Sequence, residues 1–240
     1  MSGYSPQALA ERVREAAGTR GRLPVGADLA RYAGGLLAGL PWTLRGRRGR
    51  FRLDGEEYPY LFHRHKATWL TERAVEVPVV QRIVDRTSGR VLEVGNVLSH
   101  YLPQRHLVVD KYEHAPDILN RDVLDLADLG QFELVVAIST LEHVGWDEQP
   151  RRPAAALEAV HALRDRLAPG GRLVLTHPVG YNPHLDEALR SGAVPPRRIA
   201  AMRRVGRRTR WEQVAPEEAW RTPYDFLLYS ARAVVFAEFK

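Results

Sequence analysis

Short apolar runs separated by helical stretches are the dominant pattern of the chain after residue 90. Runs of four or five residues rich in Val, Leu and Ile are typical of strands buried on both faces of a sheet. Between two of them, residues 153–167 repeat apolar side chains near helical spacing, and Pro169-Gly170-Gly171 then favours a stop. Strands alternating with helices predict an α/β fold with a parallel sheet and crossover helices. The runs are 91–95, 107–110, 134–138, 172–176 and, at the C-terminus, 233–239.

The first third of the chain has a different pattern. Residues 5–17 and 27–39 carry apolar side chains at roughly helical spacing and are separated by Gly and Pro, which predicts two short helices. The pair Asp54-Gly55 lies between alternating residues and predicts a β-hairpin. Residues 68–85 predict a helix that is kinked or broken at Pro78.

Length and composition limit the number of domains and the chemistry. The 240 residues suffice for one α/β domain with an added segment, so we expect a cap over residues 1–70 and a main domain over residues 71–240. The absence of cysteine excludes disulfides, thiolate catalysis and cysteine-ligated zinc. No stretch approaches the roughly 20 apolar residues of a membrane span, and the N-terminus lacks the apolar core of a signal peptide. These features predict a cytoplasmic protein without a membrane partner.

The positive charge of the chain is carried almost wholly by arginine. The net charge is +6, and lysine is present only at positions 66, 111 and 240. Two arginine-rich segments can in principle bind phosphate or nucleic acid. We favour a solvated face in a proteome that prefers arginine, and expect no nucleic-acid partner. The segments contain Arg45, Arg47, Arg48, Arg50 and Arg52, and then Arg197, Arg198, Arg203, Arg204, Arg207, Arg208 and Arg210.

Polar or small residues end each predicted strand. Open parallel sheets bind ligands beyond the carboxyl ends of their strands, so these residues are the candidates for binding and chemistry. The first strand ends with Glu93-Val94-Gly95-Asn96, the second with Asp110-Lys111, the third region gives Arg121-Asp122-Val123, and the fourth strand ends with Ile138-Ser139-Thr140.

Over roughly residues 75–180, these strand ends and the stretch Leu163-Arg-Asp-Arg-Leu-Ala-Pro-Gly-Gly resemble the class I S-adenosylmethionine-dependent methyltransferases. The resemblance implies a Rossmann-like sheet with helices on both faces, and S-adenosyl-L-methionine as the cofactor. In that family an acidic residue and a glycine turn hold the methionine part, a second acid holds the ribose hydroxyls, and a later aspartate contacts adenine. Carried over residue by residue, the cofactor-binding set is Glu93, Gly95, Asn96, Asp110, Lys111, Asp122, Val123, Ile138 and Ser139.

Elementary chemistry agrees with the resemblance at two positions. A carboxylate can accept both ribose hydroxyls, and Asp110 stands where such an acid is expected after a glycine turn. A helix N-terminus after Gly95 is predicted to receive the carboxylate of the cofactor. Val97 and Ser99 stand where the family has further glycines, which argues against a dinucleotide because a diphosphate needs a closer backbone approach. Pro103 limits the first crossover helix to about two turns.

The leading functional prediction is methyl transfer to a small molecule, favouring an oxygen of a sugar, nucleoside or other natural product over a nitrogen. Residues 67–76 and 178–186 resemble segments of methyltransferases from bacterial secondary-metabolite and polysaccharide gene clusters. Two alternatives stay open: an RNA methyltransferase that uses the arginine segments, and a methyltransferase-fold protein that retains the cofactor without transfer. No metal site is expected, because His63 and His65 lack an acidic partner at ligand spacing. The chain can form a homodimer.

An alcohol acceptor needs a base beside it, and histidine titrates near neutral pH. His143, which follows the fourth strand, is the first candidate, and His177 at the end of the fifth strand is the second. The alternative for His143 is a structural helix opening. Glu72, Arg73 and Glu76 are predicted to form a surface ion-pair set on a helix.

The segment after the fifth strand supplies candidate acceptor contacts. An Asx turn accounts equally well for Asn182 and Asp186, so both interpretations stay open there. The predicted acceptor-binding set is Trp146, Tyr181, Asn182 and Asp186.

Overall fold

The computed structural model describes residues 6–45, 49–206 and 209–240. Arg47, Arg48, Arg207 and Arg208 of the arginine-rich segments lie outside the described residues. The helices are α1 (Pro6–Arg20), α2 (Arg22–Arg45), α3 (Arg73–Asp85), α4 (Ala155–Arg164), α5 (Pro183–Ser191) and α6 (Pro216–Ala219). The strands are β1 (Arg50–Leu53), β2 (Glu56–Pro59), β3 (Val91–Val94), β4 (Leu107–Val109), β5 (Ile118–Leu119), β6 (Phe132–Ile138), β7 (Leu167–Pro178), β8 (Arg198–Arg204), β9 (Trp211–Val214) and β10 (Ala233–Phe239).

The main sheet has eight strands in the order β5-β4-β3-β6-β7-β10-β8-β9. Strands β3 to β7 are parallel, whereas β10 runs antiparallel to both of its neighbours. The chain moves from β3 outward to β4 and β5, and then returns to the other side of β3 to form β6. This reversal between β3 and β6 is the switch point at which doubly wound sheets bind ligands. The predicted Rossmann-like α/β class is confirmed.

Helices cover both faces of this sheet, as β6 illustrates. Successive side chains of a strand point to opposite faces. Val135 and Ala137 pack with the apolar residues of α4 and α5. Leu134, Val136 and Ile138 pack with those of α3 on the other face. All five side chains are buried, which explains why the run reads as continuously apolar in the sequence.

The predicted hairpin at Asp54-Gly55 is confirmed as β1 and β2. Its apolar side chains Phe51 and Leu53 are buried in a cluster that includes Met202 of β8 and Trp211 of β9. The hairpin thereby covers the antiparallel end of the main sheet. The division at residue 70 stays a prediction, and these contacts cross it.

Pro78 lies inside α3, which is continuous, so the predicted break at this residue is wrong. A proline has no N–H to donate to the carbonyl four residues earlier, here that of Ala74. This carbonyl instead accepts a hydrogen bond of 3.0 Å from the backbone N–H of Leu61. The segment that precedes α3 therefore replaces the missing helical bond.

The prediction of a two-turn helix after Gly95 is wrong. The segment after Gly95 forms a single 3-10 turn at Leu98–His100 and no two-turn helix. Residues Pro169-Gly170-Gly171 lie within β7, where Leu167 pairs with Phe132 and Arg172 pairs with Leu134 across an irregular register. The second arginine-rich segment is largely a hairpin, β8 and β9.

Among the described residues, no helix is both long and apolar enough to cross a bilayer.

Candidate functional site

The carboxyl ends of β4, β3 and β6 lie side by side and bring Asp110, Gly95 and Ser139 to one edge of the sheet. The backbone N–H of Asn96 donates to Asp110 Oδ2 over 3.0 Å, which ties the ends of β3 and β4 together. The Gly95 N–H donates to the carbonyl of Val109. We call this row of strand ends the strand-end row.

Glu93 is fully buried and is bound by the protein itself. Its Oε1 accepts hydrogen bonds of 2.9 and 2.8 Å from the backbone N–H groups of Val97 and Leu98. Its Oε2 lies 2.7 Å from His106 Nε2. Glu93 thus holds the turn after β3 in place. Because Val97 and Leu98 use their N–H groups in this way, the predicted anion-binding helix N-terminus after Gly95 is wrong.

Gly95 is required by the backbone of the turn. Its φ of +82° lies in the left-handed region, which side chains rarely adopt. A Cβ atom at this position would lie 2.2 Å from Thr140 Oγ1, far inside contact distance. The absence of a side chain therefore lets the turn after β3 pass directly against the segment after β6.

Asp110 is half-buried at the β4 end of the strand-end row. In addition to Asn96, the backbone N–H groups of Tyr112 and Glu113 donate to its Oδ1 over 2.8 and 2.9 Å. A carboxylate offers about four acceptor positions, so these three bonds fix its orientation and leave capacity for a further donor. The sequence-predicted ribose acid is thus placed and oriented by the backbone.

Four other predicted cofactor residues, Asn96, Lys111, Asp122 and Val123, are engaged by the protein itself. Asn96 donates from Nδ2 to Glu113 Oε1 over 2.8 Å. Lys111 Nζ lies 2.9 Å from Asp122 Oδ2 and 2.7 Å from Glu148 Oε1. Val123 is buried in the main apolar core. Whether any of the four contacts a cofactor stays a prediction.

The set Glu72, Arg73 and Glu76 is buried, so its predicted place on the surface is wrong. Arg73 Nη1 donates to Glu76 Oε2 over 2.8 Å and to the carbonyl of Ile138 over 3.2 Å. Ser139 Oγ donates to Glu76 Oε1 over 2.5 Å. Helix α3 therefore begins directly against the carboxyl end of β6.

Strained backbone concentrates at this edge of the molecule. Side chains rarely adopt positive φ, and such residues cluster at functional sites. Ser139 has φ 40°, held by a hydrogen bond of 3.0 Å from its N–H to Thr176 Oγ1. Lys66 and Ala67 have φ 52° and 43°, and Tyr229 has φ 51°. Four of the five non-glycine residues with positive φ in the described chain thus lie around the candidate site.

Lys66 brings a cation towards the strand-end row. Desolvation, and then the positive charge of Arg73, lowers the pKa of Lys66 to about 8. The carboxyls of Glu113 and Asp110 act on the same ammonium group in the opposite direction. Lys66, whose side chain is exposed, and the buried Arg73 are two basic side chains near this edge that can meet an anionic group.

His143 belongs to a polar and aromatic group after β6. Its Nδ1 lies 2.7 Å from Asp147 Oδ2, and its ring packs edge-on against Tyr181 at 4.7 Å between centroids. The Tyr181 hydroxyl lies 2.8 Å from Asp147 Oδ2 and 2.6 Å from the Tyr229 hydroxyl. Burial raises the pKa of Tyr181, and Tyr229 and Asp147 add to the effect. Asp147 thus orients both His143 and Tyr181.

His177 forms a separate pair with Asp186. Its Nε2 lies 2.6 Å from Asp186 Oδ1, and Asp186 Oδ2 accepts the backbone N–H of Gly180 over 2.9 Å. The His177 side chain is fully buried, and its Nδ1 has no hydrogen-bond partner among the described residues. The two candidate histidines therefore lie in different hydrogen-bond groups.

Asn182 and Trp146 occupy different environments. Asn182 is the N-cap of α5, and its Oδ1 accepts the N–H groups of His184 and Leu185. Its Nδ2 donates to the backbone carbonyl of Glu142 over 3.0 Å. Trp146 is half-buried beside the ring of His184. The carboxamide of Asn182 is thus occupied by the protein.

Sequence reasoning missed Lys66, Glu142 and Tyr229 as members of the site. Glu142 was visible only as the neighbour of His143, and Lys66 only as one of three lysines. Tyr229 lies 91 residues after Ile138, the last residue of β6, and comes close through the pairing of β10 with β7. In the described part of the chain, no three His, Asp or Glu side chains are grouped as metal ligands.

Comparison with family models and with curated proteins gives no match. Among solved structures, the chain is similar to the N-methyltransferase NodS from Bradyrhizobium japonicum WM9 in complex with S-adenosyl-L-homocysteine, at 15% identity and a TM-score of 0.42, covering 70% of this chain and 86% of that chain. The chain is also similar to the glycopeptide N-methyltransferase MtfA complexed with S-adenosyl-L-methionine, at 17% identity and a TM-score of 0.34, covering 70% of this chain and 87% of that chain. For the sugar N-methyltransferase KedS8 from Streptoalloteichus sp., the identity is 14% and the TM-score is 0.33, and the similarity covers 70% of this chain and 88% of that chain. These similarities are low, and the fold assignment rests on the strand order of this chain.

Proposed function

We propose that the protein is an S-adenosyl-L-methionine-dependent methyltransferase that acts on a small molecule. The observation that carries the proposal is the strand-end row at the switch point, where Gly95 permits close backbone approach and Asp110 is oriented beside it. The resemblance of the same strand ends to class I methyltransferases supports it. The buried polar groups that follow β6 add side chains with which an acceptor can be bound.

Residues in and beside the strand-end row match the chemical groups of this cofactor. Asp110 has acceptor capacity for ribose hydroxyls, and Lys66 and Arg73 are cations suited to the amino-acid carboxylate. Glu93 holds the turn and is not proposed to contact the ligand. When bound, the cofactor supplies an electrophilic methyl group on a sulfonium.

The chain's own contribution is to hold the acceptor in line with that methyl group and to manage its proton. Displacement at a methyl carbon gains most from correct positioning of the two reactants. His143 remains the first proposed base, since Asp147 orients its ring, and His177 with Asp186 remains the second. Tyr181 is proposed as an acceptor contact. Asn182 is not retained, because its carboxamide caps α5.

A small molecule is proposed over RNA because described arginines of the second arginine-rich segment have acidic partners nearby. Arg198 lies 2.7 Å from Asp54, and Arg203 lies 3.4 Å from Glu212. Such pairing reduces the positive field available to a phosphate backbone. The proposal places the acceptor near residues 139–147 and 224–231, at the carboxyl edge of the sheet.

Incubation with S-adenosyl-L-methionine and a bacterial metabolite extract is expected to yield S-adenosyl-L-homocysteine together with a product that has gained one methyl group. Mass spectrometry of the extract measures both, with heat-denatured protein as the control. If S-adenosyl-L-homocysteine forms no faster than in the heat-denatured control, although the native protein binds the cofactor, the protein instead retains the cofactor without transfer.

A further inference from the structure

Three carboxyl groups lie buried around the end of β6. Glu72 and Glu76 come from the start of α3, and Glu142 comes from the turn that follows β6. Glu76 is satisfied by Arg73 and Ser139, as described above. Glu72 Oε2 accepts the backbone N–H of Ala231 over 3.0 Å. Two of the three carboxyls therefore have hydrogen-bond partners that account for them.

Glu142 differs from the other two. Only 1% of the residue is exposed, and its Oε2 has no hydrogen-bond partner among the described residues. His143 Nε2 lies 3.7 Å from its Oε1, beyond hydrogen-bond distance. Burial raises the pKa of Glu142 well above the usual range. The backbone N–H of Glu142 itself opposes this shift, the carboxyl of Glu76 adds to it, and Arg73 opposes it. Buried polar groups are normally hydrogen-bonded, so this carboxyl is suited to a partner from outside the chain.

An aromatic cluster extends from the surface towards this carboxyl. Phe226 is 51% exposed, whereas Tyr229 lies deeper. Burial raises the pKa of Tyr229 to about 12, with Asp147 and Glu142 adding to the effect and the Tyr181 hydroxyl opposing it. Contacts connect the cluster to Glu142: the Tyr229 hydroxyl lies 2.6 Å from that of Tyr181, and the Tyr181 ring packs against His143, the neighbour of Glu142. The cluster consists of Tyr181, Tyr224, Phe226 and Tyr229, with centroid separations of 4.9 to 5.9 Å.

From this arrangement we infer that Glu142 binds the methyl-accepting group and that this group is an amine, an assignment that rests on the proposed methyl transfer. Aromatic faces together with a carboxylate are the groups that bind organic cations. An ammonium ion donates charge-assisted hydrogen bonds to the unpartnered Glu142 oxygen and favours the ionised form of this buried carboxyl. A neutral alcohol brings no such charge.

The proton and charge balance of the reaction is consistent with this role. For an amine acceptor, Glu142 takes the proton in place of His143. The ammonium group first passes one proton to the Glu142 carboxylate, which leaves a neutral amine with its lone pair free. The nitrogen then forms a bond to the methyl carbon, and the carbon–sulfur bond breaks with its electron pair going to sulfur. The positive charge moves from sulfur to nitrogen and stays beside the carboxyl groups. The proton on Glu142 leaves to solvent when the product departs.

Sinefungin provides a test that does not need the natural acceptor. In this cofactor analogue an amine-bearing carbon replaces the methylated sulfur, so its ammonium stands near the position of the transferred methyl group. Isothermal titration is expected to show sinefungin binding about 10- to 100-fold more tightly than S-adenosyl-L-homocysteine, the effect of one charge-assisted hydrogen bond. Glu142→Gln is expected to reduce this ratio to near one.

The matched control is Glu187→Gln, which changes an exposed carboxyl of α5 paired with Arg190 and should keep the wild-type ratio. Equal affinities of the two ligands in the wild type, or an unchanged ratio in Glu142→Gln, would overturn the role of Glu142 while leaving cofactor binding intact. If neither ligand binds the wild-type protein, the proposed function itself fails. Thermal unfolding of each variant verifies that it is folded.

The amine itself is tested by product analysis. The protein is incubated with S-adenosyl-L-methionine and matched pairs of amines and alcohols, such as glucosamine with glucose and tyramine with tyrosol. N-methylated products from the amine members support the inference. O-methylated products, or no N-methylated product from any pair, contradict an amine acceptor even where the sinefungin result holds.

Discussion

Replacement of Glu93 by alanine is expected to lower the free energy of unfolding by about 3–5 kcal/mol, because several buried hydrogen-bond donors lose their shared acceptor. The substitution leaves the N–H groups of Val97 and Leu98 without their acceptor and removes the partner of His106. Each buried donor left unsatisfied costs about 1–3 kcal/mol. Urea unfolding at pH 7 measures the change.

Glu93→Gln is the matched control, because it keeps an oxygen that can accept the two backbone N–H groups. It should lose about 1–2 kcal/mol, from the weaker bond to His106. If Glu93→Ala unfolds at the wild-type urea concentration but loses affinity for the cofactor, Glu93 contacts the ligand as the sequence predicted. The structure-derived role in holding the turn would then be wrong.

Gly95→Ala is expected to lower the free energy of unfolding by about 2–4 kcal/mol. The left-handed backbone at φ +82° is unfavourable for alanine, and the new Cβ would collide with Thr140 Oγ1. Thr140 cannot turn away freely, because its hydroxyl donates to the carbonyl of Ile138 over 3.1 Å. Any adjustment separates the turn after β3 from the segment after β6, so cofactor binding should weaken as well.

Gly170→Ala separates the two causes. Gly170 has nearly the same φ, +81°, but a Cβ there meets no atom within 4 Å among the described residues. This variant should lose only the backbone contribution, about 1–2 kcal/mol. An equal loss in both variants would mean that the contact with Thr140 contributes nothing to the position of the turn.

The parts of the fold that could be predicted are those in which one strong physical pattern decides the structure. Strands β3, β4 and β6 are buried on both faces, so their apolar runs stand out in the sequence. The positions of Gly95 and Asp110 follow, because a polar or small residue must end a buried strand at the sheet edge. The hairpin at Asp54-Gly55 could also be predicted, since its turn requires positive φ, which few residue types adopt.

The parts that could not be predicted depend on tertiary contacts. Nothing local distinguishes Arg73 and Glu76 from a surface ion pair, and only the end of β6 makes them buried. The arginines of β8 conceal a strand, because ion pairs with residues such as Asp54 replace the expected apolar alternation. The turn after Gly95 is fixed by the Glu93 side chain, which a helix-propensity argument does not include.

The central claim is that the strand-end row binds the cofactor through Asp110, and isothermal titration with S-adenosyl-L-homocysteine tests it most directly. The variants are Asp110→Asn, which keeps one acceptor oxygen for the backbone, and Asp117→Asn, an exposed control between β4 and β5. We expect the wild type and Asp117→Asn to bind the ligand, and Asp110→Asn to bind it about 10- to 100-fold more weakly, because charge-assisted hydrogen bonds to the ribose diol are lost. No binding by the wild-type protein, or wild-type affinity in Asp110→Asn, would contradict the central claim.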